Sequence, residues 1–245
     1  MKTCLLVFML FTVGLARAGS TARPFEEDMI PTTLGGLKII FVGHASLIFE
    51  CSGKVIHIDP VSSEADYTTL PKADLILITH EHFDHLDARA IGLIRGPGTK
   101  IVVSRSCAGK IPGAEVLANG EKATILGYPI EAVPAYNIVH KRPDGNPFHP
   151  KRNGNGYVIG FGDQRVYVAG DTEAIPEMKA LKDIDVAFLP VNLPYTMDTE
   201  MAAQAARTIR PRILYPYHYG TTDIGKLVAA LKTEKGIEVR IRKLS

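Results

Sequence analysis

The stretch Leu75-Ile76-Leu77-Ile78-Thr79-His80-Glu81-His82-Phe83-Asp84-His85-Leu86-Asp87 decides the fold. Its four consecutive apolar residues, bounded by polar ones, read as a buried strand. Directly behind them, three imidazoles and a carboxylate fall within residues 80–85. His80 and His82 are two apart, so on extended backbone both side chains project to one side, as two ligands of one ion require. Asp84 and His85 follow where the chain turns toward a helix and can face a second ion nearby. Neutral imidazole nitrogen and carboxylate oxygen suit zinc and its first-row neighbours. The competing reading is a polar loop in which each His satisfies a local hydrogen bond. Four potential ligands crowded at one strand end argue against it.

Outward from this stretch, short apolar strands recur with helical segments between them, which predicts a layered α/β architecture. Strands are expected at 38–42, 46–50, 54–58, 75–79, 100–104 and 122–126 in the first half. In the second half they are expected at 130–134, 156–161, 165–169, 185–189, 212–217 and 237–241. Ser52-Gly53 and Gly162-Asp163-Gln164 read as hairpin turns. Helices are expected after Leu86, Thr172, Asp198 and Asp223. Pro176 fits a first turn, Asp198 and Asp223 serve as caps, and Pro211 and Gly236 act as stops. Asn137–Asn155, rich in Pro, Gly, Asn and basic residues, is the one long irregular loop, a length usually tied to function or disorder.

Further ligand candidates also lie at strand ends. Arg165–Ala169 runs into Gly170-Asp171-Thr172, where the glycine permits a tight turn and leaves the Asp171 carboxylate at the strand tip. There it could bridge two cations or, alternatively, cap the following helix. Arg212–Tyr217 runs into His218, which reads either as a ligand or as a satisfied structural His. The long loop offers His140 and His149, one of which could supply a third imidazole to the first ion.

Together these pieces resemble the metallo-β-lactamase superfamily over essentially the whole chain that follows the leader described below. The signature His-x-His-x-Asp-His falls on His80, His82, Asp84 and His85, the Gly-Asp-Thr turn on Gly170–Thr172, and the late His on His218. Within the superfamily the chain looks like the branch of ascorbate-phosphate lactonase-like and N-acylphosphatidylethanolamine phospholipase D-like hydrolases. Gly43-His44-Ala45-Ser46, Ala135-Tyr136-Asn137, Phe148-His149-Pro150-Lys151, Asn192–Met197 and Tyr215–Tyr219 carry that likeness. The resemblance implies a four-layer αββα sandwich with two divalent metal ions, zinc foremost and Mn or Fe as substitutes, along one edge of the sheets. It implies His80, His82 and a third His on site one, Asp84, His85 and His218 on site two, and Asp171 between them. Where many relatives carry that third His, this chain has Asn137. The match falls instead on His149, with His140 as the substitute.

Two such ions would share a water of lowered pKa, giving a hydroxide able to attack a carbonyl or phosphoryl centre. Asp84 would also orient that nucleophile. His44 reads as a substrate contact, a hydrogen-bond donor behind a ligand, or plain packing. Asp59 reads as a carboxylate steering a ligand imidazole. Tyr195 reads as a reach toward substrate or oxyanion, or as part of a shaped loop. His57 alternates with the apolar residues of its strand and should be ordinary. The expected function is a metal-dependent hydrolase acting on an ester, lactone, amide or phosphodiester. An iron-dependent oxidoreductase of the same fold and a non-catalytic metal-binding module are the competing readings.

The first residues read as a targeting segment. Lys2 gives a positive start, Cys4 to Leu15 an apolar core, and Ala16-Arg17-Ala18 a small-x-small cleavage pattern. The core is shorter than a membrane span needs, so a signal peptide over 1–18, one hydrolase domain over 19–245 and export to periplasm or medium are expected. A net charge of +2 with 46% hydrophobic residues describes a globular core and calls for neither nucleic acid nor an anionic membrane, leaving a small-molecule or lipid-like substrate as partner. Cys51 and Cys107 could pair in an oxidising compartment, but their sequence positions do not specify a bridge.

Overall fold

The computed structural model describes residues 25–244. The leader expected over 1–18 lies outside the described residues. Among those described, no helix is long and apolar enough to cross a membrane. The chain builds two seven-stranded sheets, each in linear order. The first contains β1 (Glu26–Thr32), β2 (Gly35–Gly43), β3 (Ser46–Cys51), β4 (Lys54–Ile58), β5 (Ala73–Ile78), β6 (Arg95–Val103) and β7 (Glu115–Val116). The second contains β8 (Lys122–Ile125), β9 (Tyr128–Ala135), β10 (Gly154–Phe161), β11 (Gln164–Val168), β12 (Val186–Pro190), β13 (Ile213–Tyr217) and β14 (Glu238–Val239). Each sheet begins as an antiparallel meander and turns parallel at its fourth strand.

The layers follow from which face each strand buries. In β5, Leu75 and Leu77 enter the core between the sheets, while Ile76 and Ile78 enter a second core beneath helix α1 (Ala88–Ile94). A strand covered on both faces must be apolar without alternation, which is why 75–78 is a continuous hydrophobic run. Between the sheets, Phe41, Phe49, Phe161, Phe188 and Tyr215 form an aromatic interior. On the far side, α2 (Thr199–Ile209) buries Ala202, Ala203, Ala205, Ala206 and Ile209 against the second sheet, beside α3 (Gly225–Leu231). The order helix, sheet, sheet, helix is the expected αββα sandwich.

Local chemistry sets the element ends. Asp87 caps α1 by accepting from the Arg89 and Ala90 amides, and it also holds the Ser62 amide. Asp198 caps α2 through the Met201 amide. Arg210, in the left-handed conformation, ends α2 one residue before Pro211.

The helix expected after Thr172 does not form. The Thr172 hydroxyl and Glu173 amide both bond the Tyr136 carbonyl, and only a short 3-10 turn, Pro176–Ala180, follows. Its cap position is Ile175, so Asp171 caps nothing. Cys51 and Cys107 are free and lie in different cores, Cys51 between the sheets and Cys107 beneath α1. His57 is buried, with Nε2 on the Pro71 carbonyl at 3.1 Å.

Candidate metal centre

The candidate ligands gather at one edge of the sandwich, most of them just beyond a strand end. His44 follows β2, His80 and His82 follow β5, Asp171 follows β11 and His218 follows β13, while His149 lies on the long loop from β9 to β10. The edges are tied beneath the site, with the Asn155 amide on the Thr79 carbonyl at 2.8 Å and the Tyr157 hydroxyl on the Ile78 carbonyl at 2.8 Å. The His218 amide bonds the His44 carbonyl at 3.0 Å. Gly170 is required where Asp171 is presented. Its φ is +66°, and a Cβ there would stand 2.5 Å from the Asn155 carbonyl oxygen. His44, Asp59 and His218 hold positive φ without being glycine, a cost that clusters at functional sites.

Two groups of donors face each other. In the first, His80 Nε2 lies 3.1 Å from His82 Nδ1, which lies 3.1 Å from His149 Nε2. Asp171 Oδ2 stands 3.3 Å from His149 Nε2 and 3.8 Å from His80 Nε2. Ligands held at 2.0–2.1 Å by a tetrahedral ion stand about 3.3 Å apart, so these spacings are those of a coordination shell. The tautomers agree. Thr79 Oγ1 donates to Asp59 Oδ2, and so accepts from His80 Nδ1 at 3.0 Å. Asn137 Oδ1 accepts from His149 Nδ1 at 2.7 Å. Both rings therefore turn a bare Nε2 inward, and lone pairs converging in this way need a cation. Burial, reinforced by the nearby His85, holds His80 well below the ordinary histidine range, in the neutral form that ligation needs.

The second group joins His44, Asp84, His85 and His218. Asp59 takes the His85 Nδ1–H at 2.8 Å, leaving Nε2 3.3 Å from Asp171 Oδ1. His218 Nε2 is 3.5 Å from Asp84 Oδ2 and 3.4 Å from Asp171 Oδ2. His85 Nε2, His218 Nε2 and Asp171 Oδ1 are buried without a hydrogen-bond partner, an arrangement that costs free energy unless a cation is shared among them. Asp171 thus touches both groups. Burial would raise its carboxyl, yet His218 and His85 hold it well below the usual carboxylate range. Burial would likewise lower His85, but Asp171 and Asp59 hold it well above the usual histidine range. Burial would raise Asp84, but the His218 and His44 imidazoles beside it hold its carboxyl well below the usual carboxylate range, so it stays ionised.

The remaining candidates fall into place around these groups. His140 is turned away, with Nδ1 2.7 Å from Glu173 Oε1, and of the two loop histidines only His149 reaches the cluster. His44 stands 3.3 Å from Asp84 Oδ2 and packs on the His218 ring at 3.8 Å between centroids. Tyr195 forms cleft wall outside the donor groups, its ring edge on Phe148 at 5.2 Å.

Three orienting residues escaped the sequence reading. Thr79 relays between Asp59 and His80. Asn137, standing where a ligand was missing, holds His149 through its side-chain oxygen. Glu173 is fully buried and accepts the Ile138, Val139 and His140 amides as well as the Asn137 amide group. Glu173 directly follows Gly-Asp-Thr, and an acid in that position beside a buried turn was the available signal.

The fold and donor set define a metal-binding αββα protein, and comparison with known proteins gives the family. A family model described as "Beta-lactamase superfamily domain" matches residues 38–218. The chain belongs to that superfamily. Among its relatives is a UPF0173 metal-dependent hydrolase of Thermococcus kodakarensis, 36% identical over 198 residues, covering 76% of this chain and 85% of the relative. A crystal structure from Parabacteroides distasonis, provisionally described as a metal-dependent hydrolase, is 52% identical with a TM-score of 0.86, covering 90% of this chain and 100% of that one. A metallo hydrolase from Ignicoccus hospitalis is 27% identical with a TM-score of 0.70, over 85% of this chain and 96% of that one.

Proposed function

We propose that this chain is a dinuclear hydrolase, zinc being the metal its donors suit best and Mn or Fe the substitutes, that cleaves an ester, lactone, amide or phosphodiester in a small or lipid-like molecule. The observation that carries this reading is Asp171, one buried carboxylate shared by two groups of inward-facing donors. His80, His82 and His149 would hold one ion, Asp84, His85 and His218 the other. Two divalent cations so held would supply a water whose pKa falls from near 16 toward about 7 and would polarise the oxygen of the group under attack. The chain's own part is orientation. Asp59, Thr79 and Asn137 fix the tautomers, and Asp84, ionised and open to the cleft, aligns the attacking water. His44 and Tyr195, on the cleft wall, contact the substrate. Export after removal of a leader belongs to the same proposal.

The test is elemental analysis of the purified protein, joined to a turnover panel of lactones, phosphodiesters, N-acyl lipids and β-lactams with zinc- and manganese-loaded enzyme. His82→Ala is expected to lose metal and to slow any accepted substrate by orders of magnitude. Full metal stoichiometry in a folded His82→Ala protein overturns the ligand set. Iron with redox turnover moves the reading to an oxidoreductase, and full metal with no turnover to a binding module.

A further inference from the structure

The donor groups open into a cleft of about 430 Å³ whose wall includes Phe83, Arg142, Phe148, Asn192 and Tyr195. Among the described residues, eleven large apolar side chains are exposed, and five of them stand on the three loops that form this mouth. Phe83, 87% exposed, lies between His82 and Asp84, while Ile138 and Val139 follow Asn137, and Leu193 and Tyr195 lie on the β12–α2 loop. The last two loops touch, the Asn137 amide group donating to the Tyr195 carbonyl at 2.9 Å. Phe83 and Tyr195 line the cleft itself, and apolar side chains gathered at the rim of a polar site mark a binding surface where scattered ones would need no explanation. Within that rim stands one cation. Arg142 lies over the Phe148 ring at 5.0 Å and has no carboxylate within 4.0 Å among the described residues. The carboxylates lining the cleft, Asp84 and Asp171, are instead engaged with histidines. Arg142 Nη2 donates to the Phe148 carbonyl at 3.4 Å, and the donors that remain free on this exposed guanidinium are matched to a carboxylate, sulfate or phosphate.

Resting on the hydrolase reading, we infer that the substrate is an anionic amphiphile, its apolar body lying on Phe83 and Tyr195 and its anionic group on Arg142. The occupant is a single dissolved molecule, since residues from three separate loops and the sheet edge wall the cleft on several sides. The test is calorimetric binding of octanoate, octanol and octylammonium, one chain with three charges, to the metal-loaded protein. Octanoate is expected to bind best. Arg142→Gln should weaken octanoate about tenfold and leave octanol within about twofold, while Phe83→Ser weakens both. Octanoate affinity untouched by Arg142→Gln, or equal affinity for all three, overturns the inference. Sedimentation with phosphatidylcholine vesicles while monomeric octanoate fails to bind would assign the rim to a bilayer and overturn it too. None of these readouts needs turnover, so an inert substrate panel sinks the hydrolase proposal without deciding this one.

Discussion

Asn137 is the side chain that orients His149 toward the donor cluster, and its replacement by Ala isolates that role. The side chain makes four hydrogen bonds. Oδ1 accepts from His149 Nδ1 at 2.7 Å and from the His149 amide at 2.8 Å, and the amide group donates to Glu173 Oε1 at 3.2 Å and the Tyr195 carbonyl at 2.9 Å. Glu173 cannot donate when ionised, so it and the Tyr195 carbonyl force the NH2 end toward themselves and the oxygen toward His149. Asn137→Ala therefore frees the His149 ring to turn and to place its proton on Nε2, the atom facing His82. Removing a hydrogen bond behind a metal-bound imidazole weakens the metal by roughly 10- to 100-fold, about 1.4–2.7 kcal/mol. The assay is a zinc titration against a competing chelator, with circular dichroism to verify the fold. Asn137→Asp keeps the acceptor but sets a second carboxylate against Glu173, so it should retain more affinity than Ala while losing stability. His140→Ala should change affinity little. Unchanged zinc affinity in a folded Asn137→Ala protein, or an equal loss from His140→Ala, would refute the reasoning.

Three further outcomes are expected. Burial lowers His57 from 6.5 to about 4, so the unfolded chain takes up a proton that the folded chain refuses across that window. Stability is whole above pH 6.5 and falls by about 3 kcal/mol on the way to pH 4, and urea unfolding of His57→Gln should show a shallower acid loss than wild type. Asp28 on β1 binds Arg242 at 2.7 and 2.8 Å, Arg240 at 3.3 Å, and the Tyr215 hydroxyl. Asp28→Ala leaves these groups facing one another and should cost about 3 kcal/mol, on the order of 10 °C in Tm, whereas a shift within error would mean solvent replaces the carboxylate. Intact mass of protein recovered from an exporting host should correspond to a chain starting after Ala18, and a chain retaining Met1 in the membrane fraction would indicate an anchor.

The interior strands were legible because each carries an unbroken or alternating apolar pattern, and the clustered donors at 80–85 were legible because four of them crowd one strand end. β1 was not, since Glu26–Thr32 is an edge strand that buries only Ile30 and carries three acids and a proline. The helix expected after Thr172 failed because local pattern cannot reveal that Thr172 and Glu173 are spent on Tyr136, a partner 36 residues away. The choice between His140 and His149 was likewise a question of tertiary contact. Both are imidazoles on one loop, and only the position of the Glu173 carboxylate separates them. The left-handed backbone at His44, Asp59 and His218 left only a weak mark in the sequence, because His and Asp tolerate that conformation better than most residues but, unlike glycine, do not announce it.

The hydrogen bonds beneath the donors, Asn155 to Thr79 and Tyr157 to Ile78, tie the strand ends of the two sheets to each other, so the kind of donor each strand end carries decides what the edge can hold. In the first group the donors stand 3.1 to 3.8 Å apart, and three of the four are imidazoles. Calcium and magnesium take oxygen ligands, whereas imidazole nitrogen suits zinc and its first-row neighbours. The nitrogen-rich edge thus favours the softer ions by donor chemistry, on a frame that two oxygen-accepting backbone ties hold together.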